Sequence, residues 1–309
     1  MLFTLLGMLL SQLLVCSCAT ADSIPSQLPS HVAMNKGAGR GSWLIVALRL
    51  ESGEELPCVV DTGAPITLLD ESLEPKMGKR LETMTFSSPA GGKQPSGIYP
   101  APKLYLGSAL LTTDSYVATY SCRKLSARSH QRILGILGMD CLRHYCVQLD
   151  FHDGEMHFLA ADQVNTAGLG TAFPLSFSTK GQNFPTVLLS SGQNDSTPFI
   201  QHVGLLGGTS TNSFIDTADN VDGAVEKEVI KGHYLTRFVH WLIKFRAVRL
   251  QKCVWDGQMY TNLKVQTGPN ANRLGLRFLA RHLVTFDFPK QTMYLTQTSI
   301  GPLSAEEER

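Results

Sequence analysis

Residues 137–158 read LGMDCLRHYCVQLDFHDGEMHF, and residues 274–295 read LGLRFLARHLVTFDFPKQTMYL. A shift of 137 residues lays one segment on the other. Seven of 22 columns are then identical: Leu137/Leu274, Gly138/Gly275, Leu142/Leu279, Val147/Val284, Asp150/Asp287, Phe151/Phe288 and Met156/Met293. Chance gives about one or two identities over that length at ordinary residue usage. Each copy reads as an apolar strand ending in glycine, one short helix, and two strands joined by a turn of two to four residues. The period lies far above the roughly 20 to 50 residues of solenoid repeats, so the pattern is that of a duplicated domain.

The likeness extends upstream of each copy. Lys103-Leu-Tyr-Leu-Gly107 before Tyr116-Val117, and Leu250 to Trp255-Asp-Gly257 before Leu263-Lys-Val265, both read as hairpins. Further upstream an apolar run closes on an Asp-Thr pair in each half: Cys58-Val-Val-Asp61-Thr62-Gly63-Ala64 and Ser213-Phe-Ile-Asp216-Thr217-Ala218-Asp219. Trp43–Leu50 predicts the strand that precedes Asp61, with Glu51-Ser-Gly53 as its turn. Two β-rich lobes follow, at 40–160 and 171–298, divided where Gly168-Leu-Gly170 opens a loop, with a polar tail at 299–309.

An isolated Asp-Thr-Gly is often an ordinary Asx-type turn. Two Asp-Thr turns, each at the end of an apolar strand and each followed by a hydrophobic-hydrophobic-Gly segment, permit a specific chemistry. Carboxyl groups about 3 Å apart cannot both ionise easily, so a pair shares one proton and offers a general base and a general acid at one pH. The base can take a proton from a bound water while the acid donates one to the group under attack. Asp61 and Asp216 are the candidates.

From about residue 40 onward the chain resembles the pepsin and retropepsin superfamily of aspartic proteases, and within it the two-lobed retropepsin-like proteins of bacteria. The resemblance implies an all-β, duplicated bilobal fold with short helices, one Asp turn per lobe and no metal or organic cofactor. It implies that Thr62 and Thr217 tie the two turns together and that the Gly63 amide donates to a carboxylate. Ala64, Ala218 and Asp219 are then expected beside a peptide or protein substrate, and a hairpin within Thr85–Gly97 is expected to cover the cleft. The sequence departs from the pattern at Ala218, where glycine is expected. A methyl there costs on the order of 1 kcal/mol or more if the backbone needs a positive φ, and merely narrows the site if it does not. The activity implied is that of an aspartic endopeptidase; the alternative is a degenerate relative that binds peptide or another ligand without cleaving it.

Composition bounds the partners. Twenty-seven Lys and Arg against 26 Asp and Glu leave a net charge of +1, with 17% charged residues. No global field then favours nucleic acid or an anionic membrane. Residues 2–15 form an apolar run too short to span a bilayer and suited to a secretory signal within 1–21. Two cleavage readings stand open. Ala19-Thr20-Ala21 fits ordinary signal peptidase; Val15-Cys16-Ser17-Cys18 resembles a lipobox that would leave a lipid anchor at Cys18, the only membrane attachment expected. The mature chain would be periplasmic, an outer-membrane lipoprotein, or secreted.

Seven cysteines show no zinc-type spacing. Cys141 and Cys146 stand where the second copy has Phe278 and Leu283, which predicts small buried hydrophobes; Cys122 with Cys253 is a candidate bridge. Gly223–Phe245 is the one conspicuous helical pattern. Val225, Val229, Ile230, Tyr234, Phe238, Trp241, Leu242 and Phe245 take one face, and Lys227, Lys231, Arg237, Lys244 and Arg246 the other. This predicts one longer helix in the second lobe.

Overall fold

The computed structural model describes residues 31–87, 93–159, 164–177, 185–189, 199–203, 227–230, 246–255, 257–267 and 273–303. The first half runs β1 (His31–Ala33), β2 (Ile45–Leu50), β3 (Glu55–Val60), β4 (Leu68–Asp70), β5 (Glu82–Ser87), β6 (Lys93–Pro100), β7 (Leu104–Leu106), β8 (Ala109–Leu110), β9 (Tyr116–Tyr120), α1 (Arg123–Ser129), β10 (Gly135–Leu137), α2 (Met139–Leu142), β11 (Cys146–Asp150) and β12 (Glu155–Leu159). The second runs β13 (Thr171–Phe177), β14 (Pro185–Leu189), β15 (Phe199–Val203), β16 (Lys227–Ile230), β17 (Arg246–Trp255), β18 (Gln258–Thr267), β19 (Arg273–Leu274), α3 (Leu276–Leu279), β20 (His282–Asp287) and β21 (Thr292–Gln297). The chain is all-β with short helices, as the alternating apolar runs require.

Among the described residues three sheets form: β1-β12-β11-β20-β21-β13-β14-β15-β19, β5-β6-β9-β4-β10-β3-β2-β7-β8, and β16-β17-β18. The first contains strands of both halves, joined by the antiparallel pair β11 and β20. Its register sets Gln148 opposite Thr285, Cys146 opposite Asp287 and Asp150 opposite Leu283. The 137-residue shift equates Gln148 with Thr285 and Cys146 with Leu283, so the pairing maps onto itself when the halves are exchanged. At its centre the Gln148 side-chain amide donates to Thr285 Oγ1 at 2.9 Å. The hairpins β11–β12 and β20–β21 repeat the same register, with Val147 opposite Phe158 and Val284 opposite Leu295.

Burial explains why the seam holds. Val147, Leu149 and Phe151 from the first half and Phe278, Val284, Phe286 and Phe288 from the second belong to one continuous core. Each large aromatic buried this way contributes about 1.5 to 3 kcal/mol of transfer free energy. β2 alternates as the sequence predicts, with Ala47 exposed and Val46 and Leu48 buried, and Gly53 takes φ 89° in the turn to β3. Gly138 ends β10 where no side chain fits: a Cβ there would lie 2.6 Å from the Ile66 carbonyl carbon and 2.9 Å from the Ala64 oxygen. The strand, glycine, short helix and two strands expected of each copy are present as β10-Gly138-α2-β11-β12 and β19-Gly275-α3-β20-β21.

The helix expected over Gly223–Phe245 needs correction. Lys227–Ile230 is a strand, antiparallel to β17 with Val229 opposite Val248. Four residues carrying the β-branched pair Val229-Ile230 suit a strand, and pairing with a long neighbour overrides a helical pattern. Arg246, assigned to the same helix, opens β17; the remainder of the segment lies outside the described residues. Among the described residues the longest α-helix is α1, in the first half, and no helix is long and apolar enough to cross a membrane. The signal segment with Cys16 and Cys18 also lies outside them, as do 304–309 of the tail.

Candidate functional site

β3 runs beneath the candidate acid and fixes where it emerges. Val60 lies beside Leu137 in the parallel pair β3–β10, and the Asp61 amide donates to the Leu137 carbonyl at 3.0 Å. The chain then turns. Asp61 Oδ1 accepts from the Gly63 amide at 2.7 Å, and the Asp61 carbonyl accepts from the Ala64 amide at 3.2 Å. Asp61 is 5% exposed and Thr62 is fully buried, while Gly63 is exposed. The Gly63 amide orients this nearly buried carboxylate.

Gly63 is required for space and not for conformation. Its φ lies outside the left-handed region, yet a Cβ there would stand 3.0 Å from Asp61 Oδ1. A methyl at this point of the turn presses on the carboxylate of its own aspartate. Ala64, expected at the substrate, is buried against Trp43, Ile45, Val59 and Ile136, and its carbonyl accepts from the Met139 amide at 2.8 Å. Asp216, Thr217, Ala218 and Asp219 lie outside the described residues.

The second half repeats the frame in part. β15 and β19 pair in parallel with Val203 opposite Leu274, as Val60 is opposite Leu137. In that register the residue following the strand is Gly204, and Asp216 comes thirteen positions after Val203.

Sequence reasoning missed one acid at this site. Asp140 is fully buried in α2, and Thr67 donates its hydroxyl to Asp140 Oδ1 at 2.8 Å. Burial pushes the Asp140 carboxyl up to about 6, against the Thr67 hydrogen bond and with the help of nearby Asp114. In the second copy the matching residue is Arg277. Asp140 therefore falls in a mismatched column, and comparison of the copies conceals it; the available signal was a carboxylate two residues after the strand-ending glycine.

Asp150 and Asp287, the matched aspartates of the repeat, serve turns. Asp150 Oδ1 accepts from the amides of His152 and Asp153, and Asp287 Oδ1 accepts from that of Lys290. Cys141 and Cys146 are buried free thiols, as their apolar counterparts predict, and so are Cys58 and Cys122. The Cys122–Cys253 bridge is therefore not formed. The Thr85–Gly97 stretch forms an antiparallel hairpin of β5 and β6, and the Gly97 amide donates to Thr119 Oγ1 at 2.9 Å. Residues 88–92 lie outside the described residues.

Comparison with known proteins corrects the family resemblance. No family model matches the chain, and no curated protein matches it. The fold belongs to a populated class, since 391 chains of solved structures match it. One is the crystal structure of basic 7S globulin from soybean, with a TM-score of 0.52 at 10% identity, covering 88% of this chain and 95% of that one. Identity this low shows a shared fold and nothing of activity. Membership of the pepsin and retropepsin superfamily, or of its two-lobed bacterial branch, is not supported. The physical reason is that an Asp-Thr-Gly turn and a repeated strand order fix local geometry, which unrelated or long-diverged chains can share.

Proposed function

We propose that the chain is an exported endopeptidase of the aspartic type, built as two lobes at 40–160 and 171–298, which hydrolyses peptide bonds in a peptide or protein substrate. The reading is one of chemistry and not of descent. The observation that carries it is the Asp61 turn: a 5% exposed carboxylate at the end of a central strand, with Oδ1 fixed by the Gly63 amide 2.7 Å away. Asp216 is proposed as the second acid, with Thr62 and Thr217 supporting the pair. One aspartate takes the proton of the attacking water while its partner protonates the scissile carbonyl. The self-symmetric register of β11 and β20 supports the two-lobed arrangement that brings two acids to one interface. The hydrophobic 2–15 segment supports export, through either cleavage reading, with Cys18 as the anchor in one of them.

A second reading has its own support. The register that places Val203 as Val60 is placed puts Gly204, not an acid, next in the chain. This favours a protein that binds peptide on the Asp61 side without cleaving it. Peptide-library cleavage scanned from pH 3 to 8, with and without pepstatin, separates the two. The hydrolytic reading expects cleavage that Asp61→Asn and Asp216→Asn each abolish. Cleavage that survives either substitution sinks it. An inert wild type that still retains peptides, less so as Asp61→Asn and unchanged as Asp216→Asn, establishes the second reading.

A further inference from the structure

The Asp61 turn is tied to a second buried carboxylate through a short relay. The Thr67 hydroxyl donates to Asp140 Oδ1 at 2.8 Å, and its oxygen accepts from the Gly138 amide at 3.2 Å. Next to Gly138, the Met139 amide donates to the Ala64 carbonyl at 2.8 Å, and the Leu137 carbonyl accepts from Asp61 itself at 3.0 Å. Thr67 and Asp140 are both fully buried, so water cannot substitute for any member. Gly138 has no freedom to slide, since Ile66 and Ala64 enclose it within 3 Å of where a Cβ would sit.

We propose that Asp140 is a positioning residue for the Asp61 turn, its carboxyl orienting Thr67 so that the charge on Asp140 sets how firmly the turn is held. The inference rests on the reading that Asp61 is the acting acid. A hydroxyl has one proton to donate. With Asp140 ionised, that proton is committed to Oδ1 in a charge-assisted bond, and the hydroxyl oxygen is left facing the Gly138 amide. Protonation of Asp140 places its hydrogen on Oδ2, which accepts no hydrogen bond among the described residues. The Thr67 bond then becomes a neutral one, roughly half as strong, and the turn loosens. The groups that face Asp140 are few. Asp114, ion-paired with Arg143, and the buried Cys141 thiol share its surroundings. Burial places its titration at about 6, within the range over which an acid pair would work. Arg277 occupies the matching position in the second copy.

The test uses the full chain, ¹⁵N-labelled, with Asp140→Asn, Thr67→Val and Thr67→Ser. The first substitution keeps an acceptor for the Thr67 hydroxyl but carries no charge; the last keeps a hydroxyl in place. In the wild type the Gly63 and Gly138 amide resonances are expected to shift together with one midpoint near pH 6. Asp140→Asn removes that shift, Thr67→Val uncouples Gly63 from it, and Thr67→Ser restores it. In cleavage assays the kcat profile should lose its inflection near pH 6 as Asp140→Asn, with KM changed less than about twofold, while Thr67→Val lowers kcat about tenfold. A wild-type chain whose Gly63 and Gly138 amides do not move near pH 6, or an Asp140→Asn chain that keeps the shift, overturns the inference. If no peptide is cleaved but the amide shifts follow this pattern, the hydrolytic reading fails and the positioning role of Asp140 stands.

Discussion

Two buried groups of opposite sign are expected to mask each other in the acid stability of this protein. Burial raises the Asp140 carboxyl from 3.8 to about 6, so the folded chain holds a proton that the unfolded chain releases between those values. Its contribution to stability is fully present below 3.8 and is lost as pH rises through about 6. His282 behaves oppositely. It is 1% exposed, with Tyr260 OH 2.8 Å from Nε2 and the Phe278 carbonyl 3.1 Å from Nδ1. Burial lowers it from 6.5 to about 4, assisted by the neighbouring Arg281, so stability falls as pH drops from 6.5 toward 4. A tenfold change in proton affinity is about 1.4 kcal/mol, so each group contributes about 3 kcal/mol across its window and the two nearly cancel. Urea unfolding at pH 4 to 7 unmasks them. From pH 6 to 4, Asp140→Asn should lose about 2 kcal/mol relative to wild type, and His282→Gln should gain about 2 kcal/mol. Variants that track the wild type to within about 0.5 kcal/mol over this window would refute the reasoning, because neither group would then titrate differently in the folded and unfolded chains.

Three further outcomes follow from packing. Gly138→Ala should destabilise the chain by 3 kcal/mol or more, roughly, because the methyl meets backbone atoms of Ile66 and Ala64 within 3 Å; a thermal midpoint within a few degrees of wild type contradicts it. Gln148→Ala should lower stability by about 1 kcal/mol, since Thr285 is buried and loses the donor at the centre of the β11–β20 pair; denaturant titration reads it. Burial pushes the Cys58 and Cys146 thiols up to about 12, so neither should be alkylated in the native chain at pH 8. Mass mapping should find both modified only after denaturant is added.

Much of the local architecture was legible. The strand-glycine-helix-strand-strand order of each copy follows from period-two alternation around Gly138 and Gly275, and the Asp61 turn follows from two valines running into Asp-Thr-Gly. The Gly223–Phe245 pattern misled because Lys227–Ile230 is too short for periodicity to separate a helix from a strand. Its pairing with β17 decides between them, and that partner lies some twenty residues away. Asp140 stayed hidden for a different reason: its role depends on Thr67, 73 residues earlier, which no local pattern connects to it.

By itself the sequence determined that two like segments exist, that both are β-rich, and that one acid sits on a tight turn behind an apolar strand. These are properties of short stretches, governed by backbone sterics and by the alternation of buried and exposed side chains. Only the tertiary structure decided that Gln148 meets Thr285, that Val203 stands where Val60 stands, and that a buried threonine links Asp140 to the backbone holding Asp61. Such contacts join residues scores of positions apart. They arise because burying both apolar faces selects one register among many, and that selection is made by the assembled core.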